Sequence, residues 1–273
     1  MARAFRQVDV FTTEPYRGNP VAVVHDADGL DEATMRRVAN WTNLSETTFL
    51  LPPEDPSADY RVRIFTPSVE LPFAGHPTLG TCHAWLEAGG TPKTDAVVVQ
   101  ECAAGLIRVR RDGGTLAFAA PPQVRSGPVE PELVERIEAV LDVPLVDTQW
   151  IDNGPGWVGA LLADAETVLS LRPGIVEFDL GVVGPYPDGS ECAFEVRAFV
   201  PKNGATDEDP VTGSLNASVA QWLLGTGRAT APYIASQGTV LGRSGRVHVS
   251  QGDDGTIWIG GGTVTCVEGE VLL

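Results

Sequence analysis

The chain repeats itself, and the repeat restricts its fold more than any other feature. Residues 62–67 read Val-Arg-Ile-Phe-Thr-Pro, and residues 196–201 read Val-Arg-Ala-Phe-Val-Pro. Each is followed by an acidic, proline-containing loop and then by a glycine that opens a helical pattern. The first is Gly75-His76-Pro77-Thr78-Leu79-Gly80, running on to Trp85-Leu86; the second is Gly213-Ser214-Leu215-Asn216-Ala217, running on to Trp222-Leu223. Each helical pattern closes on glycine, at Gly89-Gly90 and at Gly225, as helix ends favour. A strand through Gln100 or Gln237 follows, then a glycine turn and a further strand at 106–110 or 246–250. Asp112-Gly113 and Asp254-Gly255 close the two segments with a hairpin signal.

Matched positions are offset by 134 residues at Arg63/Arg197, 138 at Gly75/Gly213 and 137 at Gln100/Gln237. Three anchors in one order describe a duplicated half-chain. A solenoid would need several shorter repeats. The segments that precede the anchors agree as well. Residues 7–11 with 18–24, and 149–153 with 157–162, both read as hairpins. The expected organisation is an N-terminal lobe over 1–122 and a C-terminal lobe over 129–273. The Pro, Ser and Gly of 121–128 serve as linker.

The helical patterns at 78–86 and 215–224 carry almost no charge on any face. Such a helix must be buried, and a curved sheet wrapped around it would bury it. The fold class expected is α+β: two similar lobes, each a strongly curved, barrel-like mixed sheet around a central helix. Shorter helices are expected at 31–41, 131–141 and 165–169.

Charge and end composition exclude several functions. Thirty-six acidic against 19 basic residues give a net charge of -17, which repels phosphate backbones and argues against nucleic-acid binding. No apolar run approaches the roughly 18 residues of a membrane span. Residues 1–10 hold no apolar signal core, so the expected compartment is the cytoplasm. Cys82, Cys102, Cys192 and Cys266 lie far apart with no CxxC pair, as small buried side chains in a reducing cytosol would. The four histidines show no ligand spacing, so no metal is expected. Gly154-Pro155-Gly156-Trp157-Val158-Gly159 matches GxGxxG. A strand rather than a helix follows it, so it is a hairpin turn and not a dinucleotide site.

Buried helices that open on glycine offer unpaired backbone N–H groups and the positive end of the helix dipole. Gly75 and Gly213 therefore suit a small carboxylate, or else serve only to permit tight turns into the helices. If the lobes are related by a pseudo-twofold axis, the two helix starts converge on one cleft. Glu46 stands between polar hydroxyls and an apolar strand. It is either a solvated surface charge or a desolvated carboxyl suited to acid–base work. His76 opens the first buried helix, where the dipole favours a neutral imidazole. Asp209 approaches the second helix start, as a polar site residue or as a loop cap before Pro210. His25, His83 and His248 read as structural.

Together these landmarks resemble the PhzF family of phenazine-biosynthesis-like isomerases. The matching segments are Gln7-Val8-Asp9-Val10-Phe11-Thr12 with Gly18-Asn19-Pro20, Asn43-Leu44-Ser45-Glu46-Thr47, Phe73 to Gly80, Asp209-Pro210-Val211-Thr212-Gly213-Ser214, and Ser236-Gln237-Gly238. They follow the family's order across nearly the whole chain. The resemblance implies a diaminopimelate-epimerase-like fold with its site in the inter-lobe cleft. It implies a cofactor-independent isomerase of a small, cyclic hydroxy or amino carboxylic acid, with a place in secondary metabolism. Glu46 would move the proton while double bonds shift. His76 and Asp209 would assist, and Gly75, Pro77, Gly213 and Ser214 would bind the substrate. A homodimer is implied as well.

In the epimerases and racemases of this fold a pair of cysteines faces the substrate from the helix starts. The comparable positions here are Ala74 and Thr212, and no cysteine lies near either. The alternatives are an epimerase or racemase of an amino or hydroxy acid, a hydrolase in which the glutamate activates water, and a non-catalytic protein that binds a small acid.

Overall fold

The repeated segments fold into elements of the same kind, in the same order, in the computed structural model, which describes residues 1–273. The chain divides into two units, Met1–Ala119 with Gly260–Leu273, and Ala120–Ile259.

The first unit contains β1 (Ala2–Val10), β2 (Asn19–Val24), α1 (Glu32–Thr42), β3 (Glu46–Leu51), β4 (Tyr60–Phe65), β5 (Glu70–Leu71), α2 (Gly75–Glu87), β6 (Val97–Cys102), β7 (Gly105–Asp112) and β8 (Thr115–Ala119). β1 and β2 form an antiparallel hairpin, β2 runs parallel to β3, and β3 is antiparallel to β4. β4 then pairs antiparallel with β5 and parallel with β6, and β6 and β7 continue antiparallel into β8.

The second unit contains β9 (Arg125–Pro128), α3 (Pro131–Leu141), β10 (Asp147–Asp152), β11 (Val158–Leu161), α4 (Ala165–Ser170), β12 (Leu180–Pro185), β13 (Phe194–Lys202), β14 (Ala205–Asp209), α5 (Gly213–Gly225), β15 (Tyr233–Gln237) and β16 (Gly245–Gln251); β17 (Ile257–Gly261) follows. Its pairing repeats the first unit step for step. A hairpin of β10 and β11 leads to parallel β11–β12, antiparallel β12–β13 and β13–β14, parallel β13–β15 and antiparallel β15–β16.

Two boundaries differ from the sequence reading. The last strand, β18 (Thr263–Leu272), pairs along β1, so residues 260–273 belong to the first unit and not to a C-terminal lobe. Strand pairing is long-range, and chain order does not reveal it. The expected linker over 121–128 contains β9, which is antiparallel to β10. Gly127, at φ 108, lets that proline-bounded segment extend.

The central helix of each unit is buried because nothing on it requires water. α2 packs against β1, β2, β3, β6, β8 and β18, and Gly75 through Cys82 are all buried. A Cβ on Gly80 would meet Val21 Cγ1 at 2.3 Å, so glycine sets how closely α2 approaches β2. In the second unit the strand supplies the clearance instead: a Cβ on Gly181 would meet Leu215 Cδ1 of α5 at 2.2 Å. The opposite sheet faces are covered too, by α1 in the first unit and by α3 and α4 in the second. Strands covered on both faces read as continuous apolar runs, such as Val21-Ala22-Val23-Val24, rather than as alternation. The left-handed glycines after the central helices are Gly89 (φ 91) and Gly227 (φ 71); α5 itself runs through Gly225.

The repeated arginine has a structural purpose in both units. Arg63 makes a two-point contact with Glu70, at 2.7 and 2.6 Å, and Arg197 makes one with Glu208, at 2.9 and 2.7 Å. Each contact ties the hairpin before the central helix into a fixed geometry. No helix is long and apolar enough to cross a membrane.

Candidate active site

α1 ends at Asn43, whose left-handed conformation (φ 55) reverses the chain toward β3. Glu46 is the first residue of β3, and Thr47 through Leu50 behind it are buried. The carboxylate therefore sits at the rim of a fully covered strand, with its side chain only 14% exposed. The sequence alternative of a solvated surface charge does not hold.

His76, the second residue of α2, reaches the same point from the helix. Its Nε2 lies 3.3 Å from Glu46 Oε2, a close polar contact that does not meet hydrogen-bond geometry. Its Nδ1 lies 3.5 Å from Asn19 Nδ2, at the start of β2. Burial pushes the His76 pKa down to about 3, against a smaller upward pull from the Pro20 carbonyl. The imidazole is neutral at any physiological pH, as the dipole argument expected. Ala74 precedes α2 and offers no capping side chain, and Pro77 has no N–H. The helix start thus presents the backbone donors of Gly75 and His76.

The second helix start is built differently. Asp209 ends β14, and its Oδ2 accepts from the Thr212 hydroxyl at 2.5 Å, so it does the loop-capping work the sequence allowed for. Thr212 precedes α5 without a side-chain cap on the helix, leaving the Gly213 and Ser214 donors at its mouth. Buried Gln237 holds this corner. Its Oε1 accepts from Thr212 N at 2.9 Å and from Asn216 Nδ2 at 2.7 Å. Its Nε2 donates to the Asp209 carbonyl at 3.1 Å and to Thr212 Oγ1 at 3.0 Å. Gln100 is the counterpart in the first unit, donating to Thr78 Oγ1 at 2.9 Å and accepting from Tyr60 at 3.1 Å.

The structure thus brings Glu46, His76, Gly75 and Pro77 together in the first unit, and Asp209, Gly213 and Ser214 together in the second. Sequence reasoning missed Asn153 and Trp157 as neighbours of Ser214. Asn153 Nδ2 donates to the Ser214 carbonyl at 2.9 Å, and Trp157 Nε1 donates to Ser214 Oγ at 3.0 Å. Both lie in the glycine-rich turn already read as a hairpin. Its hairpin character was visible, but its long-range partner was not. Of the remaining histidines, His83 contacts Thr263 and Thr265, and His25 contacts Arg6. No three His, Cys, Asp or Glu side chains converge in a metal-binding arrangement.

A family model described as phenazine biosynthesis-like protein (PhzC-PhzF) matches residues 8–269. Antisense-enhancing sequence 1 of Schizosaccharomyces pombe is 36% identical over 295 residues, covering 99% of both chains. The trans-2,3-dihydro-3-hydroxyanthranilate isomerase of Pseudomonas aeruginosa is 32% identical, covering 88% of this chain and 87% of its own. A crystal structure of a PhzF-family protein from Enterococcus faecalis superposes with a TM-score of 0.83 at 26% identity, over 100% of both chains. A probable proline racemase from Agrobacterium radiobacter, at 17% identity and a TM-score of 0.61, shares the fold alone. The two helix starts, the buried Glu46–His76 contact and these similarities agree, and the chain belongs to the phenazine biosynthesis-like (PhzC-PhzF) family as an enzyme of the isomerase class.

Proposed function

We propose that the enzyme shifts a proton and its accompanying double bonds within a small cyclic hydroxy or amino carboxylic acid, without a cofactor, and that Glu46 carries the proton. The observation that carries this reading is the contact between the Glu46 carboxylate and the buried, neutral His76, 3.3 Å apart. A neutral imidazole beside the Glu46 carboxylate does not quench it as an imidazolium would. Glu46 takes the proton from one carbon, the π electrons move along the ring, and the same carboxyl returns the proton to another carbon. His76 and Asp209 assist. Gly75 and Ser214 hold the substrate carboxylate, with backbone N–H groups and the Ser214 hydroxyl as donors, and Pro77 and Gly213 contribute to substrate binding.

The helix starts favour this over thiol-based racemisation, because Ala74 and Thr212 precede them and neither can donate a proton from sulfur. The first substrate to test is the one named for the Pseudomonas aeruginosa relative, trans-2,3-dihydro-3-hydroxyanthranilate. In heavy water the product carries deuterium at the carbon that receives the proton to the extent that the Glu46 carboxyl exchanges with solvent before returning it. Glu46→Gln keeps the shape and abolishes the transfer, lowering kcat/KM by about 10²–10⁴-fold. Near wild-type turnover by Glu46→Gln refutes the assignment. Deuterium exchange confined to one stereocentre, with no shift of the double bonds, makes the enzyme an epimerase instead.

A further inference from the structure

In both units the hairpin before the central helix reaches the second residue of that helix. Asn19, at the start of β2, approaches His76. Trp157, immediately before β11, bonds to Ser214. The duplicated architecture thus repeats the contact while changing its chemistry.

The chemistry of the second contact is directional. An indole N–H can only donate, so Ser214 Oγ accepts at 3.0 Å. A hydroxyl has a single proton, and no acceptor within the chain takes the one on Ser214. The residue is also held from its backbone side, where Asn153 Nδ2 donates to the Ser214 carbonyl at 2.9 Å. The turn carrying both donors is itself fixed, since Asp152 Oδ1 accepts from the N–H groups of Gly154 and Gly156, each at 2.7 Å. Trp157 is 3% exposed, so its ring has little freedom to swing away.

We infer that Trp157 is a positioning residue whose indole N–H occupies the acceptor side of Ser214 and turns the serine proton outward, to donate to the substrate carboxylate. The inference rests on the proposed function, in which Ser214 binds that carboxylate. A hydroxyl without the indole bond rotates among several orientations and loses strength as a donor. The ring of Trp157 adds packing, but only its N–H supplies direction.

The test compares two probes by calorimetry: 3-hydroxyanthranilate, the aromatic counterpart of the relative's substrate, and 2-aminophenol, the same ring without its carboxylate. Wild type is expected to prefer the acid. Ser214→Ala should weaken the acid by about 10-fold or more, as loss of a hydrogen bond to a charged group does, and leave the aminophenol unchanged. Trp157→Phe should weaken the acid selectively, by about 3–10-fold. The double variant should bind no more weakly than Ser214→Ala alone.

Replacing Trp157 by β-(3-benzothienyl)alanine keeps the ring shape and removes only the N–H. It should reproduce the Phe result, and it serves if the Phe variant does not fold. Wild-type acid affinity in both Trp157 variants, with Ser214→Ala weakened, overturns the positioning role and leaves the carboxylate reading standing. Equal weakening of both probes, or additive losses in the double variant, also overturns it, because Trp157 is then packing. An unchanged Ser214→Ala, or a wild type with no preference for the acid, overturns the carboxylate reading and the inference together.

Discussion

His76 Nε2 lies 3.3 Å from Glu46 Oε2, yet His76 carries no charge. A nearby carboxylate ordinarily stabilises an imidazolium. Here burial outweighs it and holds the pKa near 3, so the folded protein refuses a proton that the unfolded chain accepts near 6.5. Between those two values the unfolded state binds more protons, so stability rises with pH and falls as the solution is acidified. The His76 contribution is up to about 1.4 kcal/mol per pH unit in that window. His76→Gln should flatten that part of the pH profile in urea unfolding. His25, His83 and His248 are shifted the same way, each chiefly by desolvation, and leave a residual slope in both proteins. An unaltered slope in His76→Gln would mean that the native imidazole protonates freely.

The two copies of the repeated arginine should differ in energetic weight. Arg197 and Glu208 have side chains 3% and 12% exposed, and Arg197 also donates to the carbonyls of Val168 and Leu171 at 3.1 and 3.0 Å. Arg197→Ala leaves the Glu208 carboxylate unpaired in the interior, while the Val168 and Leu171 carbonyls keep only the Leu171 N–H and the Arg172 guanidinium as donors. It should cost about 3–5 kcal/mol. Arg63 is 27% exposed, and water can replace it around Glu70 and Glu32. Arg63→Ala should cost about 1 kcal/mol or less. Denaturant midpoints of the two variants measure the difference.

Gln237→Leu should be more harmful than Gln100→Leu, although the two glutamines occupy matched positions. The first deprives Thr212 N and Asn216 Nδ2 of an acceptor, and Asp209 O and Thr212 Oγ1 of a donor. The second removes contacts to the hydroxyls of Thr78 and Tyr60. About 2–4 kcal/mol is expected for Gln237→Leu against about 1–2 kcal/mol for Gln100→Leu. Gln237→Leu should also lower turnover at temperatures where it remains folded, because it frees the loop that carries Asp209. Unfolding curves and kcat measured on the same samples separate the two effects.

These glutamines show how far a sequence can be read. Duplication made Arg63/Arg197 and Gln100/Gln237 visible, and apolar helices that open on glycine implied burial, because both signals are local. The Glu46–His76 contact was not visible, because it joins β3 to α2 across the fold. Trp157 lay inside a glycine-rich segment correctly read as a hairpin turn, but nothing near it in sequence announces Ser214. β18 failed for the same reason: its partner is the first strand of the chain, and neither composition nor periodicity names a partner. β9 was hidden by proline and glycine, which usually mark a linker and here bound a four-residue strand.

Thiol reagents should leave the isomerase active. A two-thiol mechanism needs sulfur at both helix starts in a form that gives and takes a proton, and those positions are Ala74 and Thr212. Cys82 lies within α2, and burial pushes its pKa up to about 12. Burial also raises Cys102 and Cys192 above the ordinary thiol range. Since the thiolate is the nucleophile, these three should resist iodoacetamide in the native protein at mildly alkaline pH, leaving Cys266 as the site of modification. Peptide mass spectrometry after timed alkylation gives the labelling order, and a parallel assay gives residual turnover. Labelling of Cys82, Cys102 and Cys192 should appear only after denaturation, with activity retained until then. Loss of turnover in step with alkylation of any one cysteine would restore sulfur chemistry and remove Glu46 from its central role.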